Sequence, residues 1–474
     1  MPSGFEDIAC PSREYIISII RPCEGNEVVR SFGLVNIVLI AIDTLSARHM
    51  SCYGYERKTT PFMDEYAKDS ALFQSLYCQA IPTQPCYTCV YTGQNAVTHG
   101  IVSHGGTKTL ADDAPFLSRI LQHHGYTTCA VDNLYAHKKW FSQGYEFYIQ
   151  PALRGRYAQA TPCEQYNARA IPWLKAHANE KFFMFLHYWD PHTPYIPPEK
   201  YRDLFYKGDP CDPNNKSLEG LWRHPFGKPW KKWFDRLMPG ITDAEYIASM
   251  YDSEIRYVDD GLKEFLGTLE ELDLTDDTLV IIFSDHGEMM YKHGLYFDHH
   301  GLYDEDIHVP LIIRWPRGGK KGIQIPHLVQ HIDIAPSILD IANIPIPDAM
   351  EGKSLVPYLK GELGEPIYPF LVTEECTRMM KWGIRTNRYK FILAREQDYR
   401  GGPMRELYDL SSDPREMNNV ADKLPDIAKD LEGKLEAWIA DMMEKNELTT
   451  DPLVANGLTL GAGWFKWVEQ HGYW

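Results

Sequence analysis

Residues 34–42 form a nearly continuous run of apolar and β-branched side chains. Such a run is typical of a strand that is buried on both faces, as strands are in a parallel sheet. Similar runs predict strands over 127–131, 182–187, 278–283 and 309–315, and helical spacing predicts helices over 60–70, 113–124, 166–178 and 243–272. This alternation predicts an α/β fold with a large, mainly parallel sheet sandwiched by helices.

The pattern changes from about residue 366. Short strand-like segments over 370–373, 382–386, 389–393 and 406–409 are separated by turns, and an amphipathic helix is predicted over 425–445. These features indicate a smaller antiparallel sheet covered by one helix. We therefore divide the chain into an N-terminal extension (1–33), a large α/β domain (34–365) and a small C-terminal α+β subdomain with its tail (366–474).

The composition excludes several classes of function. A formal net charge of −17 over 474 residues argues against a nucleic-acid-binding surface, because phosphate neutralisation needs clustered Lys and Arg. The first residues lack the features of a secretion signal, and no apolar run approaches the length of a membrane span. We expect a cytoplasmic protein without a nucleic-acid or membrane partner. The aromatic tail over 453–474 is compatible with packing on a second copy, so a homo-oligomer stays open.

The segment 81–93 reads as a loop that turns into a short helix. We predict Thr83 as the N-cap, Pro85 in the first turn and Gly93 at the C-terminal end. A hydroxyl at that N-terminus lies next to N–H groups that favour anions. Thr83 is therefore a candidate nucleophile for attack on a phosphoryl or sulfuryl group. The alternative is that it only caps a surface helix.

Metal-binding side chains follow three of the predicted strands. Asp43 comes directly after 34–42, Asp285 and His286 follow 278–283, and His192 lies in the loop after 182–187. Ligands bind at the carboxyl ends of strands in open α/β sheets. Buried carboxylates are costly there unless they are paired or bind a metal, although a single Asp could instead cap a helix. One divalent ion would satisfy four groups at once, those of Asp43, Thr83, Asp285 and His286.

Several segments together make the chain resemble the sulfatase family within the alkaline phosphatase superfamily. The resemblance covers nearly everything after residue 33, and it implies the same α/β fold and an ester hydrolase. The segments that carry it are 42–55 (IDTLSARHMSCYGY), 83–93 (TQPCYTCVYTG), 190–195 (DPHTPY), 284–288 (SDHGE), 301–305 (GLYDE), 308–313 (HVPLII), 384–390 (IRTNRYK) and 406–410 (ELYDL).

One departure from the family pattern bears directly on the chemistry. Sulfatases carry a Cys-x-Pro-Ser-Arg motif whose Cys becomes formylglycine. Counting back ten positions from Gly93 puts Thr83 at the Cys position and Tyr87 at the Arg position. A threonine cannot become formylglycine. The chain then resembles phosphate-handling relatives that attack through a threonine, the nucleotide pyrophosphatases/phosphodiesterases and the phosphoethanolamine transferases. Phosphonate monoester hydrolases match in the 43–45 segment, but they use formylglycine.

These features favour a metal-dependent hydrolase of phosphate or phosphonate esters, of diester type, with Thr83 as the nucleophile. A formylglycine hydrate releases sulfate by collapsing to an aldehyde, whereas water must cleave a threonine ester at the transferred atom. Phosphoryl esters allow that cleavage in metal sites. His192 would bind an oxyanion or protonate the leaving group. The alternatives are a sulfatase that works without formylglycine, a phosphoryl transferase, and a catalytically inactive, sulfatase-like binding protein.

A second set of side chains is a candidate for a second metal ion or for substrate binding: Asp190, His299, His300, His293, His104 and Lys138. His187 lies inside its strand and is interpreted as a core residue. Because a histidine belongs to the first ligand set, we favour Mn²⁺ or Zn²⁺ over Ca²⁺, which prefers oxygen ligands. We expect one ion, leave a second open, and expect a small-molecule phosphate, phosphonate or sulfate ester as substrate.

Overall fold

The computed structural model describes residues 35–151, 161–224 and 227–460. The extension predicted over 1–33 and the last part of the tail lie outside the described residues. The strands are β1 (Asn36–Ile42), β2 (Ala71–Tyr77), β3 (Ala80–Ile81), β4 (Thr127–Val131), β5 (Phe147–Ile149), β6 (Phe182–Tyr188), β7 (Thr278–Phe283), β8 (His308–Arg314), β9 (Ile323–Ile325), β10 (Val329–Gln330), β11 (Leu371–Glu375), β12 (Lys381–Arg385), β13 (Tyr389–Ala394) and β14 (Arg405–Asp409).

The helices of the same residues lie between and after these strands. They are α1 (Pro61–Ala67), α2 (Thr83–Thr92), α3 (Ala96–His99), α4 (Leu117–His123), α5 (Cys163–Ala176), α6 (Glu199–Arg202), α7 (Glu219–Arg223), α8 (Gly227–Leu237), α9 (Ala244–Glu271), α10 (Asp304–Ile307), α11 (Ile334–Ile341), α12 (Val356–Leu359), α13 (Pro425–Lys445) and α14 (Pro452–Asn456).

The larger sheet has nine strands within the described ranges. Their order is β10-β2-β8-β7-β1-β6-β4-β5, and β9 pairs with β2. Only β8 runs antiparallel to its neighbours, β2 and β7, whereas the other pairs are parallel. The apolar run that predicts a doubly buried strand is β1, which lies between β6 and β7 and is buried from Ile37 onward. The prediction of a large, mainly parallel sheet is confirmed.

Two groups of helices pack against this sheet. One group contains α1, α5 and α9, and the other contains α2, α4 and α11. Every residue of α2 is buried, because this helix lies between the sheet and its neighbouring helices. In the described part of the chain, no helix is both long enough and apolar enough to cross a membrane.

The smaller sheet joins the C-terminal strands to the segment that precedes α2. The strands β14, β13, β12 and β11 are antiparallel, as predicted, and α13 packs on β12 and β13. The two-residue strand β3 adds to the edge of β11 in a parallel pairing, with Ile81 opposite Glu375. This pairing fixes the chain two residues before Thr83.

Tyr251, on α9, holds the loop that follows β1. Its hydroxyl donates to the carbonyl oxygen of Thr44 at 2.6 Å and accepts from the backbone N–H of Ser46 at 3.0 Å. Tyr251 is fully buried, so water cannot replace its hydroxyl without a rearrangement. One phenol therefore satisfies two backbone groups of the loop directly after Asp43.

Replacing Tyr251 by phenylalanine is expected to lower the free energy of unfolding by about 1–3 kcal/mol, because two buried backbone groups lose their partner. Denaturant unfolding of the purified protein measures the change. Tyr257→Phe is the matched control, since the hydroxyl of Tyr257 is buried on the same helix and has no hydrogen-bond partner among the described residues. Equal losses in the two variants would contradict the anchoring role of Tyr251.

Candidate active site

The candidate site lies where the carboxyl ends of β1 and β7 meet the start of α2. Asp43 directly follows β1, and Asp285 and His286 follow β7 after one serine. The two strands are parallel neighbours, so their ends reach the same edge of the sheet. Asp43, Asp285 and His286 are fully buried, and one ligand atom from each lies within 4.8 Å of the others. The structure thus brings together three of the predicted metal ligands.

Thr83 is the first residue of α2, and Pro82 occupies the N-cap position. The prediction that Thr83 is the N-cap is therefore wrong, because the helix begins one residue earlier than the sequence suggested. Instead, the Thr83 hydroxyl oxygen lies 3.3 Å from Nε2 of His286. The alternative of a surface helix is also wrong, since α2 is buried throughout. Gly93 ends the helix with a φ of 61°, as predicted.

Two carboxylate oxygens in this group lack hydrogen bonds. Oδ1 of Asp43 and Oδ2 of Asp285 are buried without a hydrogen-bond partner in the described part of the chain. Burial raises the pKa of Asp285 well above its ordinary range, and the charge of Asp43 raises it further. Oδ2 of Asp285 lies 3.3 Å from Nε2 of His286. Two carboxylate oxygens, an imidazole nitrogen and the hydroxyl of Thr83 form a set that fits a divalent cation, which would supply the missing positive charge.

His187, on β6, lies between two carboxylates. Its Nε2 is 3.2 Å from Oδ2 of Asp43, and its Nδ1 is 2.7 Å from Oδ1 of Asp132. Asp132 is held in turn by the backbone N–H of Leu134 at 2.9 Å and by the hydroxyl of Tyr148. Burial acts to lower the pKa of His187, but its hydrogen bonds to the two carboxylates raise the pKa to about 9. His187 is a buried residue, as interpreted from the sequence, but its partner is a predicted metal ligand.

Tyr87 is the residue that the sequence analysis aligned with the arginine of the family motif. Its hydroxyl lies 2.8 Å from Nε2 of His187. Burial acts to raise the pKa of Asp43, whereas the hydrogen bond with His187 and the charges of nearby imidazoles lower it to about 2. The positive charge next to Asp43 therefore comes from β6 in this chain, not from α2.

A narrow cavity of about 80 Å³ opens onto Thr83. Its walls combine imidazoles, aromatic rings and one ion pair. The lining residues are Pro82, Thr83, His104, His137, Trp189, His192, Thr193, Trp230, Phe297, Asp298, His299, His300, Arg378 and Leu460. The predicted candidates His104, His192, His299 and His300 are thus brought to one pocket.

His192 is held in one orientation by its own loop. Its Nδ1 donates to the carbonyl oxygen of Thr193 at 2.7 Å, so the neutral ring carries its lone pair on Nε2. Burial lowers the pKa of His192 to about 4, in spite of the opposing charge of Asp43. The ring is therefore unprotonated at neutral pH, with a lone pair on Nε2.

Three predicted candidates lie away from the pocket lining. Asp190 accepts the backbone N–H of Cys163 at 2.9 Å. His293 stacks on Tyr303 with ring centroids 3.7 Å apart and lines a different cavity. Lys138 is half-buried, and its Nζ donates to the carbonyl oxygen of Gly106 at 2.9 Å. The sequence could not exclude these residues because each lies close in the chain to a residue of the pocket.

Asp298 and Arg378 line the pocket, but the sequence analysis did not select them. They form an ion pair with each other. Asp298 directly precedes His299 and His300, and this Asp-His-His run was the available signal. Arg378 follows β11 in the small sheet, and no motif marks it. Its place in the pocket results from the packing of the two sheets.

Two family models match this chain. Residues 35–344 match the family model Sulfatase, and residues 292–442 match the model N-sulphoglucosamine sulphohydrolase, C-terminal. An N-acetylglucosamine-6-O-sulfatase of Bacteroides thetaiotaomicron is 25% identical over 476 residues, which cover 82% of this chain and 83% of the relative.

Solved structures show the same fold. A protein solved in complex with its substrate D-glucosamine-2-N,6-O-disulfate superposes with a TM-score of 0.68 at 22% identity, over 88% of this chain and 99% of the other. The phosphonate monoester hydrolase of Agrobacterium radiobacter superposes with a TM-score of 0.67 at 22% identity, over 86% and 96%. Since the Sulfatase model spans more than half of the sequence, the chain belongs to the sulfatase family of sulfuric and phosphoric ester hydrolases.

Proposed function

We propose that this protein is a metal-dependent hydrolase of phosphate or phosphonate esters, of diester type, with Thr83 as its nucleophile. The observation that carries the proposal is the position of the Thr83 hydroxyl. It lies 3.3 Å from His286 at the buried start of α2, beside two carboxylates whose inner oxygens have no hydrogen bond among the described residues. Thr83 is not the N-cap of α2, so capping does not account for the position of its hydroxyl. This supports a chemical role for the hydroxyl.

The identity of the nucleophile favours phosphorus over sulfur. Attack by Oγ1 of Thr83 forms an Oγ1–P bond and breaks the bond from phosphorus to the leaving oxygen. Water must then cleave the threonine ester at phosphorus, because threonine has no aldehyde form through which it could expel the group. Phosphoryl esters of side chains are opened this way in metal sites, whereas a sulfate ester of threonine would stall.

The ligand set Asp43, Thr83, Asp285 and His286 would hold the cation. Because it mixes carboxylates with an imidazole, we propose Mn²⁺ or Zn²⁺. When bound, the cation would lower the pKa of the threonine hydroxyl and neutralise charge on the transferred group.

His192 would carry the proton. Nδ1 donates to its own loop, so Nε2 is the acceptor atom of the ring, and His192 lines the same cavity as Thr83. It would take the hydroxyl proton of Thr83 during attack and return that proton to the leaving oxygen. A pKa held near 4 by burial keeps the ring unprotonated, and thus ready to accept, across the neutral range.

The charge of the pocket favours a diester. Among the described lining residues, Arg378 is the only side chain with a fixed positive charge, and it is paired with Asp298. A monoester would bring two negative charges into this cavity, whereas a diester brings one and needs less counter-charge.

Hydrolysis of sulfate esters without formylglycine is the second candidate. It is favoured by the relative that is 25% identical along most of both chains, which is named as an N-acetylglucosamine-6-O-sulfatase. The two candidates share the site and differ in the atom that Thr83 attacks, so a substrate panel separates them.

The panel contains nitrophenyl sulfate, nitrophenyl phosphate, bis-nitrophenyl phosphate and a nitrophenyl phosphonate, each tested with Mn²⁺- and Zn²⁺-loaded protein. We expect the phosphodiester or phosphonate to be turned over fastest. In Thr83→Ala the kcat should fall by at least about 10³-fold, because the nucleophile is lost.

Two controls accompany this measurement. Thr83→Ser keeps the hydroxyl and should retain most of the activity. Thr88→Ala makes the same change on the same helix, where the hydroxyl only donates to the carbonyl of Gln84, and should remain active. A sulfate rate above all phosphorus esters, lost in Thr83→Ala, would establish the second candidate instead.

The variant Asp132→Asn tests whether Asp132 supports the proposed cation ligand Asp43 through His187. His187 would lose the carboxylate on Nδ1, so its hold on Asp43 should loosen. We expect the affinity for the first cation to fall by about 10–100-fold, as is usual when such a support is removed. Titration with Zn²⁺ followed by calorimetry measures it. Asp190→Asn is the control, because Asp190 is also buried but bonds only to the backbone of Cys163 among the described residues. Equal affinities for the cation in Asp132→Asn and in the parent protein would contradict the supporting role of Asp132.

A further inference from the structure

A second group of ligand atoms lies in the wall of the same cavity. Asp298, His299 and His300 each offer one ligand atom, and these atoms lie within 4.8 Å of one another. The ring of His299 stacks on that of His286 with centroids 4.6 Å apart, so this group is adjacent to the first ligand set. All three residues line the cavity that contains Thr83.

Each of the two histidines is held from behind by a carboxylate. Nδ1 of His299 is 3.3 Å from Oε1 of Glu288, and Nδ1 of His300 is 3.0 Å from Oε1 of Glu375. Glu375 is itself fixed by the backbone N–H groups of residues 377, 378 and 379. Histidines that bind metals are oriented in this way, because a carboxylate on one ring nitrogen directs the lone pair of the other toward the ion.

The spacing of the inner atoms suits a shared ion. Nε2 of His300 lies 3.7 Å from Oδ1 of Asp298, which is too long for a good hydrogen bond. Two ligands of a tetrahedral ion with bonds of about 2.1 Å are separated by roughly 3.4 Å. Arg378 contacts the other oxygen of Asp298, and Oδ1 accepts the backbone N–H of His299 at 3.0 Å, which leaves its second lone pair for an ion.

The buried side chains around this group have a net negative charge when their carboxyl groups are ionised. Asp298, Glu288 and Glu375 are buried carboxyl groups, and the guanidinium of Arg378 forms an ion pair with Asp298. Three ionised carboxylates and one guanidinium have a net charge of −2, which one divalent cation would neutralise.

A further imidazole faces the same cavity. His104 lines it, and Nδ1 of His104 is buried without a hydrogen-bond partner among the described residues. Burial and the neighbouring imidazoles lower the pKa of His104 well below its ordinary value. An unprotonated imidazole of this kind can approach an ion as an additional ligand.

We propose that Asp298, His299 and His300 bind a second divalent cation of the Zn²⁺ class. The proposal rests on the proposed function and deepens it, because a second cation would lower the pKa of the water that cleaves the Thr83 ester. Two imidazoles and one carboxylate are ligands of borderline ions, in contrast to the oxygen-rich sites that Ca²⁺ prefers.

Metal content of the full-length protein tests this site. The protein is loaded with Zn²⁺, desalted and analysed by mass spectrometry, and binding is followed by calorimetry. We expect two ions in the parent protein, one in His300→Gln and one in Asp298→Asn. Glu375→Gln keeps all three ligands and should weaken the second binding event by about 10–100-fold.

The matched control is His293→Gln. His293 belongs to the same segment but stacks on Tyr303 outside the cavity, so this variant should still bind two ions. Cobalt substitution adds a measurement on the parent protein alone, since two Co²⁺ ions should bind with two separate increases in visible absorption.

The outcomes separate this proposal from the proposed function. One ion in the parent protein, lost in Asp285→Asn and retained in His300→Gln, overturns the second site while the first stands. Two ions, of which one is lost in His300→Gln, support the second site even if no phosphorus ester is turned over. Two ions that both persist in His300→Gln and Asp298→Asn overturn it, because the second ion then binds elsewhere.

Discussion

The repulsion between two buried carboxylates, Asp43 and Asp285, determines how the rest of the site is arranged. They lie at the ends of neighbouring parallel strands in the centre of the sheet, where water cannot solvate them. Their inner oxygens have no hydrogen bond among the described residues. The arrangement is stable only with positive charge close by. His187 supplies part of it behind Asp43, and a cation between the carboxylates would supply the rest.

The fold was predictable wherever burial leaves a pattern in the sequence. The central strands β1, β4, β6 and β7 are apolar runs, and α13 has the bounds that its periodicity predicts. The short strands β3 and β5 were missed, because two or three residues cannot show an alternation. The longer strand β2 was also missed, since Gln74 and Ser75 interrupt its apolar residues. His187 was interpreted as a core residue because it lies inside a strand. The side chains of a strand alternate between the two faces of the sheet, and the sequence does not show that Asp43 and Asp132 lie beside this one.

The part of the candidate site that lies in sequence motifs was predictable. Asp43, Asp285 and His286 follow strands directly, and strand ends meet at one edge of a parallel sheet. Arg378 became visible only through tertiary packing, whereas the Asp-His-His run was the available signal for Asp298. The residue that the sequence analysis aligned with the motif arginine, Tyr87, places its hydroxyl 2.8 Å from Nε2 of His187, the histidine beside Asp43.

The pairing of β3 with β11 gives the C-terminal subdomain a direct share in the site. Ile81, two residues before Thr83, lies opposite Glu375, and Oε1 of Glu375 lies 3.0 Å from Nδ1 of His300. The two sheets therefore cannot be exchanged independently of each other. A fragment that ends near residue 365 would retain the strands that carry Asp43 and Asp285, yet the backbone before Thr83 would lose its only sheet partner in the described structure. Any exchange of the C-terminal part with that of a relative therefore has to preserve this edge.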